Sequence, residues 1–156
     1  MKTLERGFTL IELLVAVAIA GIIAAFALPN FANQIAAGHA QTLMNLLASD
    51  VQWARGKAAA TGQTVTLSFN NPACTWQTTV SGTVDTAHSM TPSQLSSGSY
   101  SQVVFCNSAP LNLTFNPGGS VTGVSNAALK FSAGGQTYSM LLLASGSIVL
   151  NPSQAS

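Results

Sequence analysis

The chain has 156 residues, of which only nine are charged, and its formal net charge is +1. About a quarter of the residues of an ordinary soluble protein are charged, so this composition argues against a cytosolic enzyme. The near-zero net charge also argues against binding to nucleic acid through bulk charge, and the length allows one modest domain with an appendage.

The first predicted element is a membrane-spanning helix over residues 8–28. This stretch of 21 residues, Phe8–Leu28, contains Glu12 as its only charged residue. As a helix it is about 31 Å long, which matches a hydrocarbon core of about 30 Å. Lys2 and Arg6 precede it and favour the cytoplasmic side, so the rest of the chain is expected outside the cytoplasm. A cleaved signal peptide is the alternative, but the segment ends without a small-residue cleavage site, which favours an uncleaved span.

Glu12 is unusual in this setting because a carboxylate at the middle of a bilayer costs about 2.5–3.5 kcal/mol even on the insertion scale that gives the lowest values. Such a residue is expected to have a partner or a function. A tolerated carboxylate close to the headgroups is the other interpretation of Glu12.

The second predicted element is an amphipathic helix over residues 29–61, which continues the first one into a globular head. Its apolar residues recur at spacings close to three and four, which is typical of a helix with one buried face. These residues are Phe31, Ile35, Leu43, Leu46, Leu47, Val51, Ala54 and Ala58. Pro29 is the predicted helix break, since proline costs about 3 kcal/mol in a helix interior. Thr61 and Gly62 form a plausible helix stop.

Beyond Gly62 the pattern changes to β-forming residues separated by turn signals, which predicts a β-rich head over residues 62–150 and a frayed tail over 151–156. A long loop is predicted over His88–Ser99. The predicted strands are Thr64–Phe69, Thr75–Val80, Tyr100–Phe105, Leu111–Phe115, Leu129–Ala133, Tyr138–Ala144 and Ser147–Leu150. The predicted fold class is therefore α+β, with a long N-terminal helix packed on a small antiparallel sheet.

The two cysteines, Cys74 and Cys106, both fall in the predicted head. Outside the cytoplasm a disulfide between them is the expected state, and two separate buried thiols are the alternative. No metal site or cofactor is predicted, because the cysteines lack CxxC spacing and the histidines His39 and His88 are isolated.

No catalytic residues are predicted. The head contains no paired carboxylates for acid–base chemistry, and a serine beside His88 in a loop does not form a triad. No glycine-rich phosphate loop leads from a strand into a helix. The chain is therefore not expected to be an enzyme.

The segment RGFTLIELLVAVAIAGIIAAFALPNF resembles the N-terminus of a type IV prepilin or pseudopilin. The resemblance implies that residues 1–7 are a leader peptide and that a prepilin peptidase cleaves between Gly7 and Phe8. It implies that the new amino group of Phe8 is methylated. It also implies that Glu12 is the filament-assembly residue, whose carboxylate pairs with the N-terminal amine of a neighbouring subunit.

The rest of the chain resembles the GspH/FimT-type minor pilins and pseudopilins, on the stretches Leu46–Leu67, Leu113–Gly123 and Leu141–Leu150. The resemblance implies a structural subunit that helps to initiate or cap a type IV pilus or a type II secretion pseudopilus. The implied partners are other major and minor pilins. The implied location is the bacterial inner membrane, with the head in the periplasm, and afterwards the extracellular pilus or the periplasmic pseudopilus.

A DNA-binding minor pilin for natural transformation is the alternative function. Some FimT-like members bind DNA through a Gly-Arg-x-Arg motif, but the matching stretch here, Gly146–Val149, carries no arginine. Arg55, Lys57 and Lys130 remain as weak candidates for DNA contacts. Arg55 and Lys57 are two residues apart, about 200° around a helix, so they do not share a face. DNA binding is therefore disfavoured.

Overall fold

The structure is a computed structural model that describes residues 8–70, 73–97, 105–106, 111–123, 129–143 and 146–153. One long N-terminal helix packs against two antiparallel sheets, so the predicted α+β fold is confirmed. The predicted leader, residues 1–7 with Gly7, lies outside the described residues.

The helix α1 runs from Leu10 to Thr61, a length of 52 residues. It ends at the predicted stop, where Gly62 adopts a left-handed conformation with φ 68° and its amide donates to the carbonyl of Ala58 at 3.1 Å. Glycine favours this conformation because it has no Cβ to clash with the backbone. The two predicted helical segments are thus one continuous element.

The helix α1 continues through Pro29, where a break is predicted from the sequence. Proline has no amide hydrogen, so the carbonyl of Ala25 loses its helical partner. In the same turn, the Nδ2 of Asn30 donates to the carbonyl of Phe26 at 3.0 Å, which adds a side-chain hydrogen bond next to the one that is lost. Pro29 therefore removes one hydrogen bond without ending the helix.

The second half of α1 supplies one wall of the core through small and aliphatic residues spaced three and four apart. These buried residues are Ala36, Ala40, Leu43, Leu47, Val51, Ala54 and Ala58. Phe31, Ile35 and Leu46 are exposed, although the sequence places them on the same face. Phe31 and Ile35 precede the first buried position, and Leu46 lies about 100° from Leu47 around the helix.

The remaining elements follow in chain order. They are β1 (Val65–Asn70), β2 (Thr75–Val80), β3 (Thr83–Met90), α2 (Pro92–Ser97), β4 (Phe105–Cys106), β5 (Leu111–Phe115), β6 (Val121–Thr122), β7 (Leu129–Ala133), β8 (Gln136–Leu142) and β9 (Ile148–Ser153). The first sheet has the order β3-β2-β1-β5-β6 and the second the order β4-β7-β8-β9. Every described strand pair is antiparallel.

Alternating residues of three strands face α1 and complete the core, as the period-two pattern predicts. They are Val65, Leu67 and Phe69 on β1, Leu111, Leu113 and Phe115 on β5, and Leu129, Phe131 and Ala133 on β7. The two sheets meet where Phe69 and Phe131 pack edge to face, with ring centroids 5.9 Å apart. One core therefore joins both sheets and the helix.

Two predictions in the head need correction, and a third lies mostly outside the described residues. The predicted loop His88–Ser99 is wrong as far as Ser97, because β3 extends to Met90 and α2 follows it, and residues 98–99 lie outside the described residues. The tail does not begin at residue 151, because β9 pairs with β8 as far as Ser153 opposite Thr137. Of the predicted strand Tyr100–Phe105, residues 100–104 lie outside the described residues, and Phe105 belongs to β4.

The turn between β7 and β8 rests directly on the backbone of α1. Gly134 has φ +59°, and a Cβ placed on it would lie 2.0 Å from the carbonyl oxygen of Asn33. No side chain fits at that distance, so glycine is required for this contact. The turn marks the point along α1 where the head begins.

A disulfide joins Cys74, just before β2, to Cys106 on β4. Because β2 belongs to the first sheet and β4 to the second, the bond links the two sheets covalently. The predicted disulfide is therefore present in the structure.

Candidate functional site

The N-terminus of α1 is built by the short sequence Thr9–Glu12. Thr9 is the N-cap residue, and its Oγ1 accepts a hydrogen bond from the amide of Glu12 at 3.3 Å. The threonine and the glutamate three residues later match the capping-box pattern of helix starts. The sequence therefore begins the helix two residues after Phe8.

Glu12 lies in the first turn of α1, three positions after the N-cap. A carboxylate here faces the positive end of the helix dipole, which stabilises it by about 0.3–1 kcal/mol. Phe8 is 81% exposed and Glu12 follows it by four residues, or about one helical turn. Glu12 therefore lies at the same end of the chain as Phe8.

The first half of α1 presents bare apolar side chains to its surroundings. The exposed residues include Leu10, Ile11, Leu13, Leu14, Val17, Ile22, Ile23, Phe26 and Leu28. This part of the helix is long and apolar enough to cross a membrane. A continuous apolar surface of this size marks contact with a membrane or with other proteins.

A second cluster of polar and aromatic side chains lies inside the head and is centred on Asp50. Asp50 is 5% exposed, and its carboxylate accepts hydrogen bonds from Trp76 Nε1 at 2.7 Å and His88 Nδ1 at 2.9 Å. The ring of His88 also stacks on Trp53 with centroids 3.7 Å apart. The cluster thus connects α1 to β2 and β3.

An irregularity in β3 directs His88 towards Asp50. Trp76 pairs with Met90 and Thr78 pairs with Asp85, so β3 has three more residues than β2 between these pairs. The Oδ1 of Asp85 accepts the amides of Ala87 and His88 at 3.0 and 3.2 Å, which closes the bulge. Bulges of this kind redirect a side chain out of the regular alternation.

Thr78 and Ser89 hold the other side of the bulge. The hydroxyl of Thr78, which is fully buried, donates to the carbonyl of His88, and its amide donates to Ser89 Oγ at 2.9 Å. The hydroxyl of Ser89 in turn donates to the carbonyl of Asp85. The position of His88 is therefore fixed by backbone contacts on both sides.

This cluster is not predicted from the sequence, although one signal for it exists. Asp50 follows Leu47 by three residues and precedes Ala54 by four, so it falls on the buried stripe of α1. A carboxylate on a buried helix face needs hydrogen-bond donors. The sequence did not indicate that Trp76 and His88 would supply them.

The structure separates the cations proposed as DNA contacts. Arg55 is exposed, and its Nη1 donates to the carbonyl of Gly146 at 3.5 Å, beside the second sheet. Lys57 lies on the Trp53 side, with its Nζ 5.9 Å from the ring centroid. Lys130 is exposed on β7, opposite Ser139. Arg55 and Lys57 thus contact different parts of the head, as their spacing predicts.

Among the described residues, no group of three or more histidine, cysteine, aspartate or glutamate side chains could hold a metal ion. The Asp50 cluster contains one carboxylate and one imidazole, which is too few donors for a protein zinc site. The arrangement is suited to holding elements together.

The family comparisons match the two halves of the chain separately. A model of the prokaryotic N-terminal methylation motif matches residues 2–28. A model of the type II transport protein GspH matches residues 43–147, about two thirds of the chain. The first match contains the helix start and the apolar segment, and the second contains the Asp50 cluster and most of the head.

Individual relatives are similar over a shorter stretch. A type IV major fimbrial protein FimA of Dichelobacter nodosus is 51% identical over 45 residues, which is 29% of each chain. A fimbrial protein of the same organism is 58% identical over 40 residues, 26% of this chain and 25% of its own. The chain thus spans less than a third of the length of these relatives, and no solved structure matches it.

The apolar helix with its methylation motif and the match over the head agree with the fold, a long helix packed on antiparallel sheets. The chain belongs to the GspH family of type IV pilins and pseudopilins.

Proposed function

We propose that the chain is a minor pilin or pseudopilin that helps to initiate or cap a type IV pilus or a type II secretion pseudopilus. The observation that carries the proposal is the bare apolar half of α1 with its single carboxylate, Glu12, in the first helical turn. Pilins and pseudopilins are structural subunits and not enzymes. A subunit of this kind needs an apolar surface that can leave the bilayer and be covered by neighbouring helices.

The role of a minor subunit is supported by the length of chain over which each family comparison matches. The GspH model covers about two thirds of the chain, whereas the likeness to major fimbrial proteins covers less than a third. A major subunit would be expected to resemble major subunits over its head as well. The proposed partners are other major and minor pilins, together with a prepilin peptidase before assembly.

Each part of the chain has a proposed role in this pathway. Residues 1–7 are the leader, 8–28 the segment that spans the inner membrane and then enters the filament core, and 29–61 the helix that enters the head. The head, residues 62–150, would lie in the periplasm before assembly. Lys2 and Arg6 support this orientation because cations are retained on the cytoplasmic side.

Processing gives the first test. Mass spectrometry of the mature protein is expected to find an N-terminus at Phe8 carrying one additional methyl group. Gly7→Ala should still be cleaved, because alanine is also small, whereas Gly7→Leu should block cleavage. A mature protein that keeps residues 1–7, or that begins after Ala25, would contradict the proposed maturation.

Glu12 provides the test of assembly itself. Glu12→Val should lower the amount of the subunit in sheared filaments by about tenfold or more, a loss of at least about 1.4 kcal/mol of docking free energy. The reason is that a desolvated carboxylate can pair with the cationic amine of a neighbouring Phe8, and removing one partner of such a pair is costly. The amount in membranes should not fall, because the cost of burying the charge disappears.

The helix start offers a useful control for this test. The contact between Thr9 and Glu12 uses the backbone amide of Glu12, so Glu12→Val and Glu12→Gln both leave it in place. Glu12→Gln keeps the size of the side chain and loses its charge, so it should also reduce incorporation. Glu12→Asp keeps the charge, so its incorporation into filaments should be higher than that of the two uncharged variants. Normal incorporation of both uncharged variants would show that the carboxylate has no role in assembly.

A further inference from the structure

We propose that Leu28, Phe31 and Ile35 make a second membrane contact, in the headgroup layer, which tilts α1 and holds the head away from the lipid surface. These three residues, the outer stripe, are 70%, 65% and 57% exposed. The proposal rests on the membrane span proposed above for residues 8–28, and it extends the contact with lipid seven residues beyond that span.

The outer stripe and the head lie on opposite sides of α1. Phe31 and Ile35 follow Leu28 by three and seven residues, so the three lie within about 60° of one another around the helix. Asn33, whose carbonyl oxygen meets the turn at Gly134, lies about 140° or more from each of them. Among the described residues, the head therefore leaves the outer stripe uncovered.

The distance along the helix places the outer stripe at the surface of the bilayer. The helix α1 is continuous over Leu10–Thr61, so the rise per residue can be counted beyond the span. Phe31 lies about 4.5 Å and Ile35 about 10.5 Å beyond Leu28 along the axis. The headgroup layer is about 5–7.5 Å thick on each side of the hydrocarbon core. Phe31 therefore falls within this layer when the helix is upright, whereas Ile35 lies just beyond it.

A tilt of α1 towards the outer stripe lowers Ile35 into the headgroup layer. Such a tilt is ordinary, because membrane-spanning helices are tilted by about 20° on average. The same tilt raises the opposite side of the helix, where the turn at Gly134 meets Asn33. Asn33 is about 7.5 Å beyond Leu28, so in an upright helix this turn would lie against the headgroups. The apolar stripe and the position of the head thus favour the same direction of tilt.

The contact is expected to be apolar and not electrostatic. The sequence has no lysine, arginine, aspartate or glutamate between Glu12 and Asp50. The helix therefore has no lysine or arginine at this level to pair with lipid phosphates, as many membrane-surface helices do. Its binding must come from the apolar area that the outer stripe buries, and it should not depend on the charge of the lipid.

Spin labels on single added cysteines test the contact in vesicles of phosphatidylcholine. The native cysteines are joined in the disulfide, so only the added cysteine takes the label. Labels at Phe31→Cys and Ile35→Cys should collide more often with oxygen, which concentrates in lipid, than with a water-soluble nickel chelate. Asn33→Cys, the matched control at an intermediate level on the opposite side, should show the reverse preference. A preference for the nickel chelate at both 31 and 35 would overturn the proposal.

A label within the span separates the outer stripe from the span itself. Ile22→Cys should prefer oxygen whenever α1 is inserted. A preference for nickel at position 22 would overturn the span and the outer contact together, whereas oxygen at 22 with nickel at 31 and 35 would overturn the outer contact alone. Adding phosphatidylglycerol should change none of these preferences. An oxygen preference at 31 and 35 that appears only with this anionic lipid would contradict an apolar contact.

A second copy of the chain is the other occupant that the test must distinguish from lipid. Labels at position 35 of two copies in contact would broaden each other's spectra, and dilution with unlabelled chain would sharpen them. Contact with lipid predicts spectra that dilution leaves unchanged. Sharpening on dilution would assign the outer stripe to a second copy and overturn the proposal.

The height of the turn between β7 and β8 reports the tilt. A label at Gln136→Cys, the first residue of β8, should prefer the nickel chelate in the otherwise unmodified chain. Phe31→Ser combined with Ile35→Ser should weaken this preference, because the tilt is lost and the turn sinks towards the headgroups. Gln34→Ser combined with Gln41→Ser, the matched control at exposed polar positions of α1, should leave it unchanged. An equal preference in both double variants would show that the outer stripe does not set the tilt.

Discussion

Replacing Gly134 with alanine will lower the free energy of unfolding of the head by about 2–5 kcal/mol. The added Cβ would lie 2.0 Å from the carbonyl oxygen of Asn33 and 3.0 Å from the amide nitrogen of Ala37, and both are backbone atoms of α1. The turn and the helix must therefore move apart, which costs about 1–3 kcal/mol for an overpacked site. The left-handed conformation at φ +59° adds about 1–2 kcal/mol for a residue with a Cβ.

Gly135 is the matched control, because it occupies the same turn. It has φ +75°, and a Cβ placed on it meets no atom within 4 Å. Gly135→Ala should therefore cost only the backbone term of about 1–2 kcal/mol. Thermal unfolding of the full chain in micelles, followed by tryptophan fluorescence, should show a midpoint drop of roughly 10 °C for Gly134→Ala and a much smaller one for Gly135→Ala. Equal drops would show that the contact with Asn33 is not what makes Gly134 necessary.

Breaking the disulfide is the other change with a large expected effect. Cys106→Ala should lower the free energy of unfolding by about 3–4 kcal/mol, because the bond between residues 32 apart restricts the unfolded chain. Cys74 is 2% exposed and would remain as a buried thiol, which behaves as a small apolar side chain. The loss should therefore reflect the missing cross-link.

Reduction provides an internal check on this prediction. The unmodified chain treated with dithiothreitol should unfold at the denaturant concentration found for untreated Cys106→Ala, and reductant should not change the midpoint of the variant. Two thiols that alkylate freely in the folded, untreated chain would contradict the bond itself. A midpoint in Cys106→Ala equal to that of the unmodified chain would show that joining the sheets contributes nothing to stability.

The strands that could be predicted are those whose sequence alternates. Leu111–Phe115 and Leu129–Ala133 each place every second residue in the core, and the structure gives both strands the predicted bounds. In β3 no such pattern exists, because it is an edge strand whose residues before Met90 are exposed or half-buried without alternation. Its pairing depends on contacts within the bulge, such as those of Asp85 and Ser89, which have no periodicity to detect.

Contacts between distant residues account for what the sequence could not predict about the site. The cap of Thr9 on Glu12 is local, and the same residues carry the resemblance to prepilins. The contact of Asp50 with His88 spans 38 residues, and the turn at Gly134 meets Asn33 about 100 residues away in the chain. Such pairs are set by the way the sheets fold onto the helix. The assignment of Glu12 to filament assembly stays a prediction.

The packing of both sheets against the second half of α1 has a mechanical consequence. The residues from Ala36 to Ala58 lie in rows along the helix, against strands of both sheets. Tension along the helix axis would strain all these contacts in shear at the same time, so they would not break one after another. The disulfide also prevents the segment between Cys74 and Cys106 from extending under load. The contour length of this segment is about 110 Å at 3.3–3.6 Å per residue. A single-molecule pull on the oxidised chain should therefore give an extension shorter by that length than a pull on the reduced chain.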